Sequence, residues 1–176
     1  MKTPLVLVTA LLLSLSAHAA LKPGDTAPLF TAQASLGGNV FEFSLADALK
    51  KGPVVLYFYP AAFTTGCTIE AHDFAEATDA YKKLGATVIG ISHDDIKTLK
   101  KFSVSECRSK FAVAADTDGS IMKYYDAVFP VIHKYASRTS YVITPDDKII
   151  YAYTDLSPDK HVENTMRALK QWRADQ

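Results

Sequence analysis

The sequence predicts a single α/β domain: a mixed central sheet flanked by helices, with a β-hairpin extension at its N-terminal side. Three observations carry that prediction. Two short continuous apolar runs, VVLYFY at 54–59 and TVIGIS at 87–92, are rich in β-branched and aromatic residues, the pattern of strands buried on both faces. Amphipathic segments of helical spacing separate and follow them, as in β-α-β units. Late in the chain SYVIT and KIIYAY flank Pro145-Asp146-Asp147, a turn sequence that joins antiparallel strands, so the sheet is mixed rather than wholly parallel. At 176 residues the chain has room for one domain with a sizeable core.

The elements follow in order. LKPGDTAPLF (21–30) is an extended lead-in segment, and TAQASLGGNVFEFS (31–44) is two strand-like runs about the turn cluster Gly37-Gly38-Asn39, hence a hairpin. Ser44 caps a short helix, LADALKK, that stops at Gly52-Pro53. After the first buried strand, Thr68 to Leu84 carries Ile69, Phe74, Ala77 and Tyr81 close to helical spacing, and Gly85 ends it. DDIKTLKKFSVSE (94–106) is a third helix, FAVAAD (111–116) a short strand, and SIMKYYDA (120–127) helical. Ser157-Pro158 opens a final amphipathic helix reaching about Trp172. Asp116-Thr117-Asp118-Gly119 resembles part of a calcium loop but lacks the rest of that motif, so it reads as a turn and helix cap. A hairpin, then β-α-β-α-β-α, then β-β-α is the order of a thioredoxin-like fold with an N-terminal extension.

Residues 1–19 are a separate unit. Lys2, the apolar run Leu5 to Leu15 and the Ala17-His18-Ala19 end form the pattern of a secretory signal peptide. The apolar run falls short of the roughly 20 residues a membrane span needs, so cleavage is expected rather than anchoring. The domain is then residues 20–176, exported, with a bacterial periplasm as the expected compartment and no membrane contact after cleavage. Formal net charge is zero, and removing Lys2 leaves it close to neutral. No basic face argues for nucleic acid.

Export makes the two cysteines, Cys67 and Cys107, informative. In an oxidising compartment two cysteines fit one structural disulfide, and this remains one reading. Cys67 supports another. It lies in PAAFTTGC (60–67), where the first long buried strand hands over to a helix. A helix N-terminus presents unpaired N–H groups and a partial positive charge, which favour thiolate over thiol. Loops after a strand's carboxyl end are also where open α/β sheets place their sites. The Thr64 hydroxyl, three residues earlier, both donates and accepts. Pro60 fixes the backbone without a donor and walls a small pocket. Gly66 admits close approach to backbone N–H groups. The chain has no C-x-x-C, and no histidine pair shows metal spacing with a cysteine. A thiolate in a small polar pocket points to attack on a small electrophile, with neither metal nor cofactor implied.

Pro60-x-x-x-Thr64-x-x-Cys67 resembles the active-site motif of the peroxiredoxins, the AhpC/TSA family. Arg138, just ahead of the strand Ser140 to Thr144, matches the family's active-site arginine in position and context. GCTIEAHDF is similar to the corresponding helix of the bacterioferritin-comigratory or PrxQ branch. The resemblance spans essentially the whole chain from Leu21 onward. It implies thiol-dependent reduction of hydrogen peroxide and organic hydroperoxides. By resemblance Cys67 is the peroxidatic cysteine, which becomes a sulfenic acid; Thr64 and Arg138 hold the thiolate and polarise the O–O bond; Pro60 shields the pocket. A thiol reductant, thioredoxin-like or another carrier, is implied as partner, and the branch implies a monomer.

Two positions depart from the branch pattern. His72 stands where many members carry a resolving cysteine, and Thr65 where a proline is common. Cys107 is the only internal candidate for resolution. A one-cysteine cycle with an external thiol and a buried inert Cys107 stay open beside it. The alternative function is an exported thioredoxin-fold structural or redox-sensing protein with a Cys67–Cys107 disulfide and no turnover.

Overall fold

The computed structural model describes residues 20–176; the expected signal peptide, residues 1–19, lies outside the described residues. The N-terminal hairpin pairs β1 (Thr31–Leu36) with β2 (Asn39–Ser44). Leu36 faces Asn39 across the register, leaving Gly37 and Gly38 as a two-residue loop with φ of 55° and 81°. Two successive positive φ values match the strand twist of a tight hairpin, and glycine takes them without a Cβ clash.

The buried runs become β3 (Val54–Phe58) and β4 (Thr87–Ser92), which pair in parallel. β5 (Ala112–Ala115) extends the parallel part beside β4 and receives the hairpin through antiparallel β1. On the other side β6 (Thr139–Ile143) runs antiparallel to β3 and leads into antiparallel β7 (Ile149–Thr154). The seven-stranded order is β2-β1-β5-β4-β3-β6-β7, a mixed, thioredoxin-like sheet as the element order predicts.

Alternation along β3 sorts the core into two layers. Val54, Leu56 and Phe58 pack with α1 (Leu45–Leu49) and α4 (Ser120–Tyr124) on one face. Val55 and Tyr57, with Tyr59 just beyond the strand, pack with α2 (Thr65–Lys83), α3 (Ile96–Ser105) and α5 (His161–Ala174) on the other. Both cysteines belong to this second layer.

Three local features differ from the sequence pattern. α2 starts at Thr65 rather than Thr68, because Thr64 takes the extended N-cap conformation and the polar TTG stretch completes the first turn. The last helix starts at His161 rather than at Ser157-Pro158. Asp155 Oδ1 accepts the Ser157 N–H at 2.9 Å, and the Ser157 hydroxyl donates to Asp159 at 3.0 Å, which closes a turn before the helix. Between α4 and β6, Val128 and Ala136 form an isolated bridge that no sequence pattern announced. The Asp116–Gly119 loop is a helix cap: Asp116 accepts the N–H groups of Ile121 and Met122, and Asp118 that of Ser120.

Candidate active site

The antiparallel register of β3 and β6 builds the site. Phe58 at the end of β3 lies opposite Thr139 at the start of β6. The residues leaving β3 and the residue entering β6, Arg138, therefore share one end of the sheet. From β3 the chain runs through Tyr59 and Pro60 to the N-terminus of α2. Asp94 secures that passage: its Oδ2 accepts the Ala62 N–H and the Ser92 hydroxyl, both at 2.7 Å. Phe63 holds a left-handed φ of 65° and sets its ring edge-on to Phe102 at 5.2 Å. Thr64 is the N-cap, its carbonyl accepting the Thr68 N–H at 2.9 Å. The Thr64 hydroxyl donates to the Ala61 carbonyl at 2.9 Å, which commits its proton and leaves its oxygen lone pairs free to accept.

Cys67 is the third residue of α2, 2% exposed, within the turn that presents unpaired N–H groups. Arg138 is itself 4% exposed. Its Nη2 points at the Cys67 sulfur at 3.5 Å, its Nη1 donates a very short hydrogen bond to Glu70 Oε2, and its Nε donates to the Leu156 carbonyl at 2.9 Å. Burial pulls the guanidinium pKa down, but Glu70 and Cys67 together outweigh it and hold it above its ordinary value. Gly66 leaves room for the guanidinium: a Cβ at this position would lie 3.0 Å from Arg138 Nη2.

Behind the arginine lies a polar chain that sequence reasoning missed. Glu70 is fully buried one helical turn beyond Cys67, so both face Arg138. Burial pushes its carboxyl up to about 8, with Arg138 pulling the other way. His161, also fully buried, lies 3.7 Å from Glu70 Oε1 through Nδ1. Its Nδ1 pairs with the Ser140 hydroxyl at 2.8 Å and its Nε2 with the Asp155 carbonyl at 3.1 Å. Burial holds this imidazole down at about 4. The i, i+3 spacing of Cys67 and Glu70 was a readable signal. His161 had none, because its burial depends on how α5 packs.

Cys107 lies just after α3, fully buried, its N–H bonded to the Phe102 carbonyl at 3.0 Å. Burial, then the neighbouring Glu106, pushes its thiol well up. Both thiols are free. The turn that holds Cys107 is laced to one face of α2. His72 meets Glu106 at 2.8 Å, Glu76 meets Arg108 at 3.0 Å, and Asp79 meets Lys110 at 3.7 Å. Within the turn Arg108 and Ser109 hold left-handed φ values of 49° and 54°. Among the described residues no group of three or more His, Cys, Asp or Glu side chains converges to hold a metal ion.

The structure thus brings Cys67 and Arg138 into contact and sets Thr64 one turn ahead of the sulfur, with half-buried Pro60 leading into the same loop. A family model, the AhpC/TSA family, matches residues 23–152. The chain belongs to this family. As a peroxiredoxin it is 34% identical over 148 residues to a chloroplastic peroxiredoxin Q of Triticum aestivum, an alignment covering 84% of this chain and 66% of that protein. Among solved structures, peroxidoxin BcpB of Mycobacterium tuberculosis superposes with a TM-score of 0.78 at 29% identity, covering 86% of this chain and 97% of the other. A cysteine-to-serine mutant of Xylella fastidiosa PrxQ gives a TM-score of 0.77 at 25% identity, covering 88% and 99%. The peroxiredoxin resemblance read from PAAFTTGC and Arg138 is therefore correct at the level of family and fold.

Proposed function

We propose that this peroxiredoxin reduces hydrogen peroxide and organic hydroperoxides at Cys67, at the expense of a thiol. The observation that carries the reading is the Arg138 guanidinium set against a sulfur in the first turn of α2. Both features stabilise a thiolate. The Cys67 thiolate attacks the terminal peroxide oxygen; the S–O bond forms as the O–O bond breaks; the sulfur becomes a sulfenic acid and the alkoxide leaves as alcohol, or as water from hydrogen peroxide. Negative charge moves from sulfur towards oxygen during the step, and Arg138 lies where it can follow that charge. The Thr64 oxygen, its own proton given to Ala61, accepts the O–H of the incoming peroxide. Pro60 walls the pocket and offers no competing donor.

The sulfenic acid is reduced either by Cys107 or by an external thiol. Placement of both cysteines in one core layer supports the internal route, which then hands a disulfide to a dithiol carrier. The leader-like sequence of residues 1–19 supports export to a periplasm, where that carrier is not the cytosolic one, and we read the exported domain as a monomer. Intact mass spectrometry of the reduced protein, before and after one equivalent of hydrogen peroxide, tests the scheme. Loss of two hydrogens within seconds marks a Cys67–Cys107 disulfide. Gain of one oxygen marks a one-cysteine cycle. No change rejects Cys67 as the reacting group and leaves a structural role for the pair.

A further inference from the structure

We propose that Glu70 carries a proton while Cys67 is a thiolate and surrenders it when the sulfur is oxidised, so that the two residues share one negative charge under Arg138. The inference rests on Cys67 being the reacting cysteine.

The first argument is a count of charges. One guanidinium serves two acids: Nη2 faces the Cys67 sulfur at 3.5 Å and Nη1 holds Glu70 Oε2. Both acids are buried, at 2% and 0% exposure. Two anions against one cation in a low-dielectric interior leave one charge uncompensated, which strongly disfavours ionising both.

The second argument is the far side of the carboxyl. Glu70 Oε1 is buried without a hydrogen-bond partner, with His161 Nδ1 3.7 Å away. The state of that nitrogen follows from its surroundings. His161 Nε2 faces the Asp155 carbonyl, which only accepts, so Nε2 carries the ring hydrogen. In the neutral ring Nδ1 is then an acceptor and takes the Ser140 hydroxyl hydrogen at 2.8 Å. Nδ1 accordingly has no hydrogen to offer, and Glu70 Oε1 is left without a donor on that side. An ionised carboxylate oxygen buried there without a donor is uncompensated, whereas the protonated, neutral carboxyl carries a much smaller burial cost. Asp73 on the same helix agrees, since its charge disfavours a second charge on Glu70. Of the groups facing Glu70, Arg138 alone favours the anion.

The balance closes. Thiolate, hydroperoxide and the Glu70 acid give sulfenic acid, alcohol and the Glu70 carboxylate. The sulfur is oxidised by two electrons, the peroxide is reduced by two, and the leaving alkoxide is matched by one proton released from Glu70, directly or through solvent. The buried site is neutral before and after, with Arg138 paired first mainly to sulfur and then to carboxylate.

Proton counting tests this. Reduced protein carrying Cys107→Ser, which halts at the sulfenic acid, is mixed with one equivalent of hydrogen peroxide in weakly buffered solution near neutral pH with an indicator dye. With Glu70 present, net proton uptake stays near zero; with Glu70→Gln added, about one proton is consumed per sulfur oxidised. Equal counts in the two proteins overturn the proposal. If Glu70→Gln does not fold, infrared difference spectra of the Cys107→Ser protein serve instead: the protonated-carboxyl C=O band must bleach on oxidation, and an unchanged band overturns the proposal. Failure of the sulfur to gain oxygen, read by mass, is a different result that rejects Cys67 itself and the proposal with it.

Discussion

Phe58 lies directly opposite Thr139 in the antiparallel pairing of β3 with β6, and this register delivers Arg138 to the sulfur of Cys67. A shift of one residue would turn the strand's side chains to the opposite face. The arginine must also be an arginine. Its three nitrogens go to three different partners: the Cys67 sulfur, the Glu70 carboxyl and the Leu156 carbonyl. Arg138→Lys keeps the charge but not the fork. The second-order rate of Cys67 with hydrogen peroxide, measured by stopped-flow fluorescence, should fall by about 100-fold, the scale of losing one oriented charge-stabilising donor. A rate within threefold of the parent would contradict the role given to the guanidinium.

Gly66→Ala separates activity from stability. The added Cβ meets Arg138 Nη2 at 3.0 Å, so the guanidinium must retreat by a few tenths of an ångström. Alanine meanwhile favours the helix by up to about 1 kcal/mol over glycine. The expected outcome is a peroxide rate lowered on the order of tenfold by misplacement of the arginine, with an unfolding midpoint in urea unchanged or higher. Loss of both rate and stability would show instead that the helix start cannot take a side chain.

Cys107→Ser tests the internal disulfide. The variant should react once with peroxide and gain oxygen, yet form no intramolecular bond between residues 67 and 107. Placing a hydroxyl at this fully buried position should also cost about 1–2 kcal/mol of stability. An unchanged second step after sulfenic acid formation would assign resolution to an external thiol.

His161 links stability to pH. Its folded value of about 4 lies below the ordinary 6.5, so between those limits the unfolded chain binds the proton and the folded one does not. Stability from this residue is complete above about 6.5 and drains away as pH falls towards 4, with about 2 kcal/mol lost between pH 7 and pH 5. Glu70 acts oppositely. Its folded value of about 8 exceeds 4.5, so its contribution is complete below 4.5 and declines as pH rises through 8. Urea denaturation of His161→Gln should show a flatter acid side than the parent; equal slopes between pH 7 and pH 5 would reject a neutral buried imidazole.

The sequence made the frame legible where burial is written into composition. VVLYFY and TVIGIS, short, apolar and rich in β-branched and aromatic residues, suited interior strands, and Gly37-Gly38-Asn39 suited a hairpin turn. Cys67 was legible because its position after a strand and inside a helix start is local. Arg138 was found through resemblance, since only the β3–β6 register makes a residue 71 positions away a neighbour. The spacing of Glu70 from Cys67 could be read but its burial could not, and His161 stayed hidden for the same reason. A glutamate in a helix normally faces water, and nothing in IEAHDF reveals that α5 closes over that face. The true start of α5 was missed because Asp155, two residues upstream, takes the Ser157 N–H that a helix would otherwise leave free.

The turn holding Cys107 has a consequence for timing. Arg108 and Ser109 each occupy a left-handed conformation that costs a non-glycine residue roughly 1–2 kcal/mol. Two largely exposed ion pairs to α2, Arg108–Glu76 and Lys110–Asp79, each worth at most about 1 kcal/mol, and the His72–Glu106 contact hold the turn down. Clasp and spring are thus nearly matched, and what remains is the burial of Cys107 and its neighbours. Such a segment belongs to the low end of local stability. Its amides at 107, 109 and 110 should exchange with deuterium well ahead of those in the middle of α2, and sooner still in strong salt. The protein then has a slow half and a quick half. The sheet and α2 keep the sulfur and guanidinium in register, and if Cys107 is the group that reduces the oxidised sulfur, opening of the five-residue stretch 106–110 would set how long a newly made sulfenic acid waits.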